Sequence, residues 1–148
     1  MTIKVNFDGA CEPNAANGKM SFGIYIVNGT EITKLYGILD NEGKAASNNV
    51  AEHGALWKAL VYLQENGLEK EEIHIFGDSQ MAIKQMQGEY KIDPQKAYGY
   101  MAVRNAELIQ QFNNLKFKWI PREENTFADK AAETALLEIG IKRKIWSK

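Results

Sequence analysis

Residues 2–14, TIKVNFDGACEPN, decide how the rest of the chain is read. Ile3, Val5 and Phe7 alternate with Lys4 and Asn6, the period-two pattern of a strand. The run passes into Asp8-Gly9, so a carboxylate is expected where an otherwise buried strand ends. Gly9, Pro13 and Asn14 then mark a tight, irregular loop. Alone, a strand followed by Asp-Gly is the ordinary beginning of a turn. It gains meaning only if other acids stand at comparable places.

Working outward, residues 20–29 (MSFGIYIVNG) read as a second strand, and Asn28-Gly29 as a hairpin turn into a third over residues 30–39. Residues 47–66 form the clearest helix, capped by Ser47 or Asn48 and closed by Asn66-Gly67. Val50, Gly54, Trp57 and Val61 fall on one face of it, and Ala51, Ala55, Ala59 and Leu63 adjoin that face. Residues 71–77 (EEIHIFG) are a short buried strand, with His74 expected in the core, ending at Asp78. A helix follows over residues 79–87, stopped by Gly88. Asp93-Pro94 should open another helix, with Asp as cap and Pro in the first turn, reaching Asn113-Asn114. Leu115, Phe117 and Trp119 alternate with lysines as a fifth strand, and residues 126–139 are a last helix ended by Gly140. The order predicts an α/β fold, a mixed sheet with helices on both faces. Residues 1–148 read as one domain, with the basic tail 141–148 unassigned.

Composition bounds the function. With 45% hydrophobic and 25% charged residues in 148, the chain can build one core and is not a disordered chain. No run approaches the roughly 18 apolar residues of a membrane span, and no basic-then-apolar N-terminal signal is seen. No membrane partner is therefore expected. Cys11 is the only cysteine, so no internal disulfide is possible, and a reducing, cytoplasmic setting is expected. The net charge of -1 excludes a protein that holds nucleic acid by bulk charge. Binding to a polyanion would need a local patch or metal ions.

Three more acids resemble Asp8 in position. Asp78 ends a strand just before a helix, Glu52 lies in the first turns of the long helix, and Asp129 lies near the start of the last. If these elements pack side by side, the four carboxylates converge at one sheet edge. Such a cluster repels itself unless a cation sits within it. Hard oxygen donors suit Mg²⁺ or Mn²⁺ rather than zinc, and paired ions about 4 Å apart serve displacement at phosphorus. Each acid also has an ordinary role, Glu52 and Asp129 as first-turn anions and Asp78 as a helix cap, and spacing alone does not bring them together.

Four motifs in order, FDGACEPN, SNNVAEHGAL, GDSQMAIKQMQGEYK and WIPREENTFADKAA, together resemble type 1 ribonuclease H, in its short archaeal, plant and reverse-transcriptase-like branch. They cover residues 2–139. The resemblance implies a five-stranded sheet of order 3-2-1-4-5 with the opening strand central. It also implies hydrolysis of the RNA strand of RNA–DNA hybrids, leaving 5′-phosphate and 3′-hydroxyl ends. The family's four metal carboxylates match Asp8, Glu52, Asp78 and Asp129, implying two Mg²⁺ or Mn²⁺ ions. Asp8 and Asp78 would bridge or flank the metals, Glu52 would hold one, and Asp129 would complete the second site.

Gly9, Cys11 and Asn14 match a loop that contacts the substrate backbone and 2′-hydroxyls. Asn48, Asn49 and Gln80 match minor-groove side chains, Ser47 a phosphate-binding residue beside a helix start, and Asn125 a loop Asn. Two departures stand out. The bacterial loop His is missing from PREENTF, leaving Arg122 or Glu124 in its place; Arg122, always charged, can only steer or neutralise phosphate. The basic insertion is missing too, since Gly88 to Asp93 is too short for it; Lys84, Lys91, Lys96 and Lys142-Arg143-Lys144 are the available cations. The expected partners are an RNA–DNA hybrid, bound weakly and salt-sensitively, and double-stranded RNA as an alternative substrate. A monomer is expected. A non-catalytic binding module on the same fold is the competing reading.

Overall fold

β1 (Ile3–Glu12) is the axis of the computed structural model, which describes residues 2–143. Ile3, Val5 and Phe7 are buried, as their alternation requires. β1 pairs antiparallel with β2 (Lys19–Asn28), from Lys4 opposite Val27 to Glu12 opposite Lys19. β2 returns into β3 (Glu31–Leu39) through Asn28-Gly29, with Gly29 at a φ of 65°. On its other side β1 pairs parallel with β4 (Glu72–Gly77), which pairs parallel with β5 (Asn114–Trp119). The sheet order is β3-β2-β1-β4-β5, the mixed five-stranded arrangement expected.

The two edges of β1 are of unequal length. Its pairing with β4 covers only Ile3–Asn6 against Ile73–Phe76, and from Phe7 it continues with β2 alone. Asp8 is therefore not at the strand's end, as its Asp-Gly context suggested. The apolar alternation stops at Phe7, but the hydrogen bonds to β2 do not depend on it. Asp8 instead stands just beyond the point where β4 leaves, in the kind of crevice a mixed sheet opens beyond the carboxyl ends of its parallel strands.

Helices α1 (Asn48–Glu65) and α4 (Thr126–Glu138) cover opposite faces. α1 meets the sheet through Ala55, Leu56, Ala59, Leu60 and Leu63 against Ile3, Val5, Phe7, Ile24, Ile73 and Ile75. Its buried stripe is thus centred on the alanine row; Trp57 and Val61, expected to lead it, are only half-buried. α4 lies close on the other face because its alanines meet small residues. Ser21 Oγ donates to the Ala132 carbonyl at 2.8 Å, and Ala10 packs with Ala132 and Leu136. A Cβ on Gly23 would stand 2.9 Å from that of Ala131.

Helix α2 (Gln80–Met86) is as short as expected, but α3 (Gly99–Leu108) begins well after Asp93-Pro94. Asp93 Oδ1 accepts from the Gln95 N–H at 2.9 Å, so the side chain closes a local turn rather than capping a helix. Gly99 then packs on that turn, where a Cβ would lie 2.7 Å from Pro94 Cα. The α2–α3 connection consequently spans residues 87–98, longer than the expected Gly88–Asp93 spacer, and contains no helix. α3 stops at Leu108 in a 3-10 turn, Ile109–Gln111, short of Asn113. His74 is half-exposed, bonded to Glu72 Oε2 at 2.8 Å, because it alternates with the buried Ile73 and Ile75 and faces the other way. No helix among the described residues is long and apolar enough to cross a membrane.

Candidate active site

The crevice beside β1 is built by exchanges between distant segments. Ser47 caps α1, its Oγ accepting from the Val50 N–H at 3.1 Å. Glu52 therefore falls past the first turn, beyond the reach of the helix terminus expected to favour it. Its partner is β1 itself: the Gly9 N–H donates to Glu52 Oε1 at 2.6 Å. Only glycine permits this approach, since a Cβ at position 9 would overlap the Ala51 carbonyl and lie 2.6 Å from Glu52 N.

Asp78 follows β4, but Ser79 and not Asp78 caps α2, its Oγ accepting from the Ala82 N–H at 3.2 Å. The Asp78 carboxylate is thereby left for the crevice. Asn125, the residue before α4, holds it there. Its Nδ2 donates to Asp78 Oδ2 at 3.0 Å and to the Phe7 carbonyl at 2.9 Å, and its Oδ1 accepts from Asn6 Nδ2 at 3.0 Å. The Phe7 carbonyl lies just where β4 has left β1, so Asn125 replaces the missing sheet partner. The Asp78 backbone is also fixed, its carbonyl accepting from Trp119 Nε1 at 3.1 Å.

One oxygen each from Asp8, Glu52 and Asp78 lie within 4.8 Å of one another. Asp129, in the first turn of α4, borders this group without entering it. Its carboxylate is close enough to that of Asp8 for each to shift the other's pKa. Its Oδ1 accepts from Arg143 Nη1 at 2.9 Å and faces Arg122 Nη2 at 3.6 Å. Three of the four predicted acids thus converge directly, and the fourth adjoins them through Asp8.

Their electrostatics diverge accordingly. Burial, then the charges of Glu52 and Asp78, push Asp8 well above the usual carboxylate range. Burial, then the Asp78 charge, raises Glu52 from 4.5 to about 8, against the opposing Gly9 N–H. Burial also raises Asp78, opposed by the Asn125 hydrogen bond and the Arg122 charge. For Asp129 burial acts upward, but hydrogen bonds from Asp8 and Arg143, with the charges of Arg143 and Arg122, outweigh it and hold the group low. A crowded trio of acids that resists ionisation favours protons or a cation among its oxygens. The donors are all hard carboxylate oxygens, with no His or Cys in the group, which fits a hard divalent cation.

The expected substrate residues divide into two sets. Asn48 Oδ1 accepts from the Cys11 N–H at 3.0 Å, and Asn14 Oδ1 accepts from the Asn48 N–H at 2.9 Å, knotting the loop after β1 to the start of α1. Cys11 is buried, its thiol donating to the Pro13 carbonyl at 3.2 Å. Ser47 caps α1 beside them, while Asn49 and Gln80 are exposed at the first turns of α1 and α2. Gly9 lies half-buried at the crevice wall. Asn125 is 1% exposed, its side-chain oxygen and nitrogen both hydrogen-bonded inside the protein, where it braces Asp78. Arg122 sits in a 3-10 turn, Arg122–Glu124, with its exposed side chain toward Asp129.

Two features escaped the sequence reading. His53, the residue after Glu52, is fully buried; its Nε2 bonds Gln85 Oε1 at 2.7 Å, and its carbonyl accepts from Asn105 Nδ2 at 2.9 Å. This network ties α1 to α2 and α3 behind Glu52, and only the pairing of helices far apart in sequence reveals it. Arg143, left in the unassigned tail, reaches Asp129. Residues 144–148 of that tail, Lys144 included, lie outside the described residues.

Comparison with known proteins points the same way. A family model described as reverse transcriptase-like matches residues 6–135. A bifunctional protein of Mycobacterium tuberculosis is 30% identical over 139 residues, covering 92% of this chain and 36% of that protein. Ribonuclease HI of Halobacterium salinarum is 34% identical over 138 residues, covering 90% of this chain and 64% of that protein. The chain thus spans about a third of the mycobacterial relative and just under two thirds of the halobacterial one. The crystal structure of RNase H1 from Halobacterium salinarum superposes with a TM-score of 0.79 at 29% identity, over 93% of this chain and 99% of that one. LC11-RNase H1, solved in complex with an RNA/DNA hybrid, superposes with a TM-score of 0.80 at 28% identity, over 93% and 98%.

Proposed function

The chain belongs to the reverse transcriptase-like family of type 1 ribonucleases H, and we propose that it cuts the RNA strand of RNA–DNA hybrids with two divalent cations, Mg²⁺ or Mn²⁺, leaving 5′-phosphate and 3′-hydroxyl ends. One observation carries this reading: oxygens of the buried Asp8 and the half-buried Glu52 and Asp78 lie within 4.8 Å of one another, a crowding that folding alone does not reward. Asp8, Glu52 and Asp78 hold the cations, and Asp129 completes the set from the rim. Bound divalent cations supply a lowered water pKa and neutralise charge developing on the phosphoryl and leaving oxygens.

The chain's own residues do the rest. Gly9 lets β1 and α1 close until Glu52 reaches the crevice, with its N–H fixing that carboxylate at 2.6 Å. Asn125 and Trp119 hold Asp78 by side chain and by backbone. Arg122, permanently charged and exposed beside Asp129, steers the scissile phosphate and exchanges no proton. The Asn14–Asn48–Cys11 knot presents a rigid polar loop next to the acids, and exposed Asn49 and Gln80 extend it toward the hybrid's minor groove, where 2′-hydroxyls are read. The single domain acts as a monomer in a reducing, cytoplasmic setting, its lone thiol enclosed.

The test is a cleavage panel on labelled hybrid, RNA duplex and DNA duplex, with Mg²⁺, Mn²⁺ or EDTA, for the wild type and Asp78→Asn. Hybrid cutting that needs a divalent cation and disappears in the variant is the expected result. Hybrid binding without cutting in either metal would leave a non-catalytic module instead. Cutting of the RNA duplex alone would transfer the chemistry to double-stranded RNA.

A further inference from the structure

The segment after α4 is held against the site by a chain of specific contacts. Gly140, at a φ of 81°, turns the backbone, and the Ile141 N–H donates to the Leu136 carbonyl at 2.9 Å. Ile141 packs against Ala10, Ala132 and Leu136, which seats the arm beside β1 two residues from Asp8. Arg143 then reaches back fourteen residues along the chain to Asp129, Nη1 donating to Oδ1 at 2.9 Å. Its side chain is 15% exposed and that of Asp129 is 23% exposed, so this is not a solvent-screened surface pair. Arg122 Nη2 stands 3.6 Å from the same oxygen. Asp129 is also the one predicted metal carboxylate outside the group of three.

We propose that Arg143 is a positioning residue that competes with a divalent cation for Asp129, so that the arm after α4 sets how readily the Asp129 side of the site is loaded. This rests on the metal-dependent reading above and concerns one oxygen of it. A guanidinium and a divalent cation drawn to the same carboxylate repel each other, so each weakens the other's hold on it. The guanidinium must give up Oδ1, or stand off from it, as the cation arrives. Among the described residues no guanidinium or ammonium is hydrogen-bonded to Asp8, Glu52 or Asp78; Gly9 donates to Glu52 and Asn125 to Asp78. The two cations are therefore taken up unequally, and the weaker event is the one Arg143 governs.

The experiment is calorimetric titration of Mn²⁺ into the metal-free full chain, without substrate, for the wild type, Arg143→Gln, Arg143→Lys and Ile141→Ser. Removing one positive charge a few ångströms from a doubly charged ion predicts a roughly three- to tenfold tighter weak site in Arg143→Gln, with little change in the tight one. Arg143→Lys keeps the charge and should stay near the wild type. Ile141→Ser releases the anchor and should move in the same direction as Arg143→Gln. Thermal melts of each variant separate these shifts from loss of fold. If the wild type binds two cations and Arg143→Gln binds them no more tightly, the role of Arg143 is overturned while the metal site stands. If the wild type binds no divalent cation, the functional reading itself falls, and the competition with it.

Discussion

Consider Glu52 in the metal-free protein. It stands half-buried between Asp8 and Asp78, and its pKa is raised from 4.5 to about 8, first by desolvation and then by the Asp78 charge. Between those values the folded chain keeps a proton that the unfolded chain has lost. The folded state then binds more protons, so stability falls as pH rises from about 4.5 to about 8 and levels off above. The slope is at most about 1.4 kcal/mol per pH unit for one such group, and the whole window amounts to something of the order of 5 kcal/mol, an upper bound because the cluster shares its protons. Divalent cations bind only the folded cluster, so they should restore stability most at high pH. Glu52→Gln removes the ionisation and keeps the shape. It should therefore be more stable than the wild type at pH 8.5 in EDTA, by several kcal/mol, while failing to cut hybrid. Urea unfolding followed by circular dichroism at pH 5 and pH 8.5, in EDTA and in Mg²⁺, measures all of this. Metal-free stability that stays level or climbs across that interval, or a Glu52→Gln chain no more stable at pH 8.5, would refute the reasoning.

Three further outcomes follow from the contacts. Asn125→Ala should lose roughly 2–4 kcal/mol in urea unfolding, because the Phe7 carbonyl and Asn6 amide lose their buried partner, and hybrid cleavage should fall as Asp78 loses its brace. Gly9→Ala should destabilise by about 3 kcal/mol or more, since the added Cβ meets the Ala51–Glu52 backbone; a melting temperature equal to the wild type's would contradict that close packing. Burial lowers the pKa of His53, so on acidification the unfolded chain charges first, and below about pH 6.5 this group takes back part of the stability that the crowded acids add. His53→Gln should therefore gain stability relative to the wild type as pH falls from 7.5 to 5 in the same unfolding assay, a difference that stays constant if His53 does not titrate with folding.

What the sequence made legible, and what it hid, follow from the range of the forces involved. Strand alternation, hairpin signals and helix stops are local, and they located every strand and the capped start of α1. Ordered motifs then selected the sheet order that periodicity left open. Local signals misled where a side chain had two uses. Asp93 closes a turn instead of a helix, Ser79 takes the cap that Asp78 was offered, and Asn125 turns inward to repair a strand that β4 abandons. Each choice was settled by a partner far away in sequence. Arg143 is the extreme case: in the chain it is one cation in a basic tail, with nothing to distinguish it from a solvated charge. Its meaning comes from Gly140 turning the backbone and Ile141 finding the gap beside Ala10. Because that gap exists only once β1 and α4 have packed, the contact with Asp129 is a product of the finished fold. A carboxylate's sequence position can therefore announce a metal site, but which of its oxygens is already spoken for is decided by tertiary structure alone.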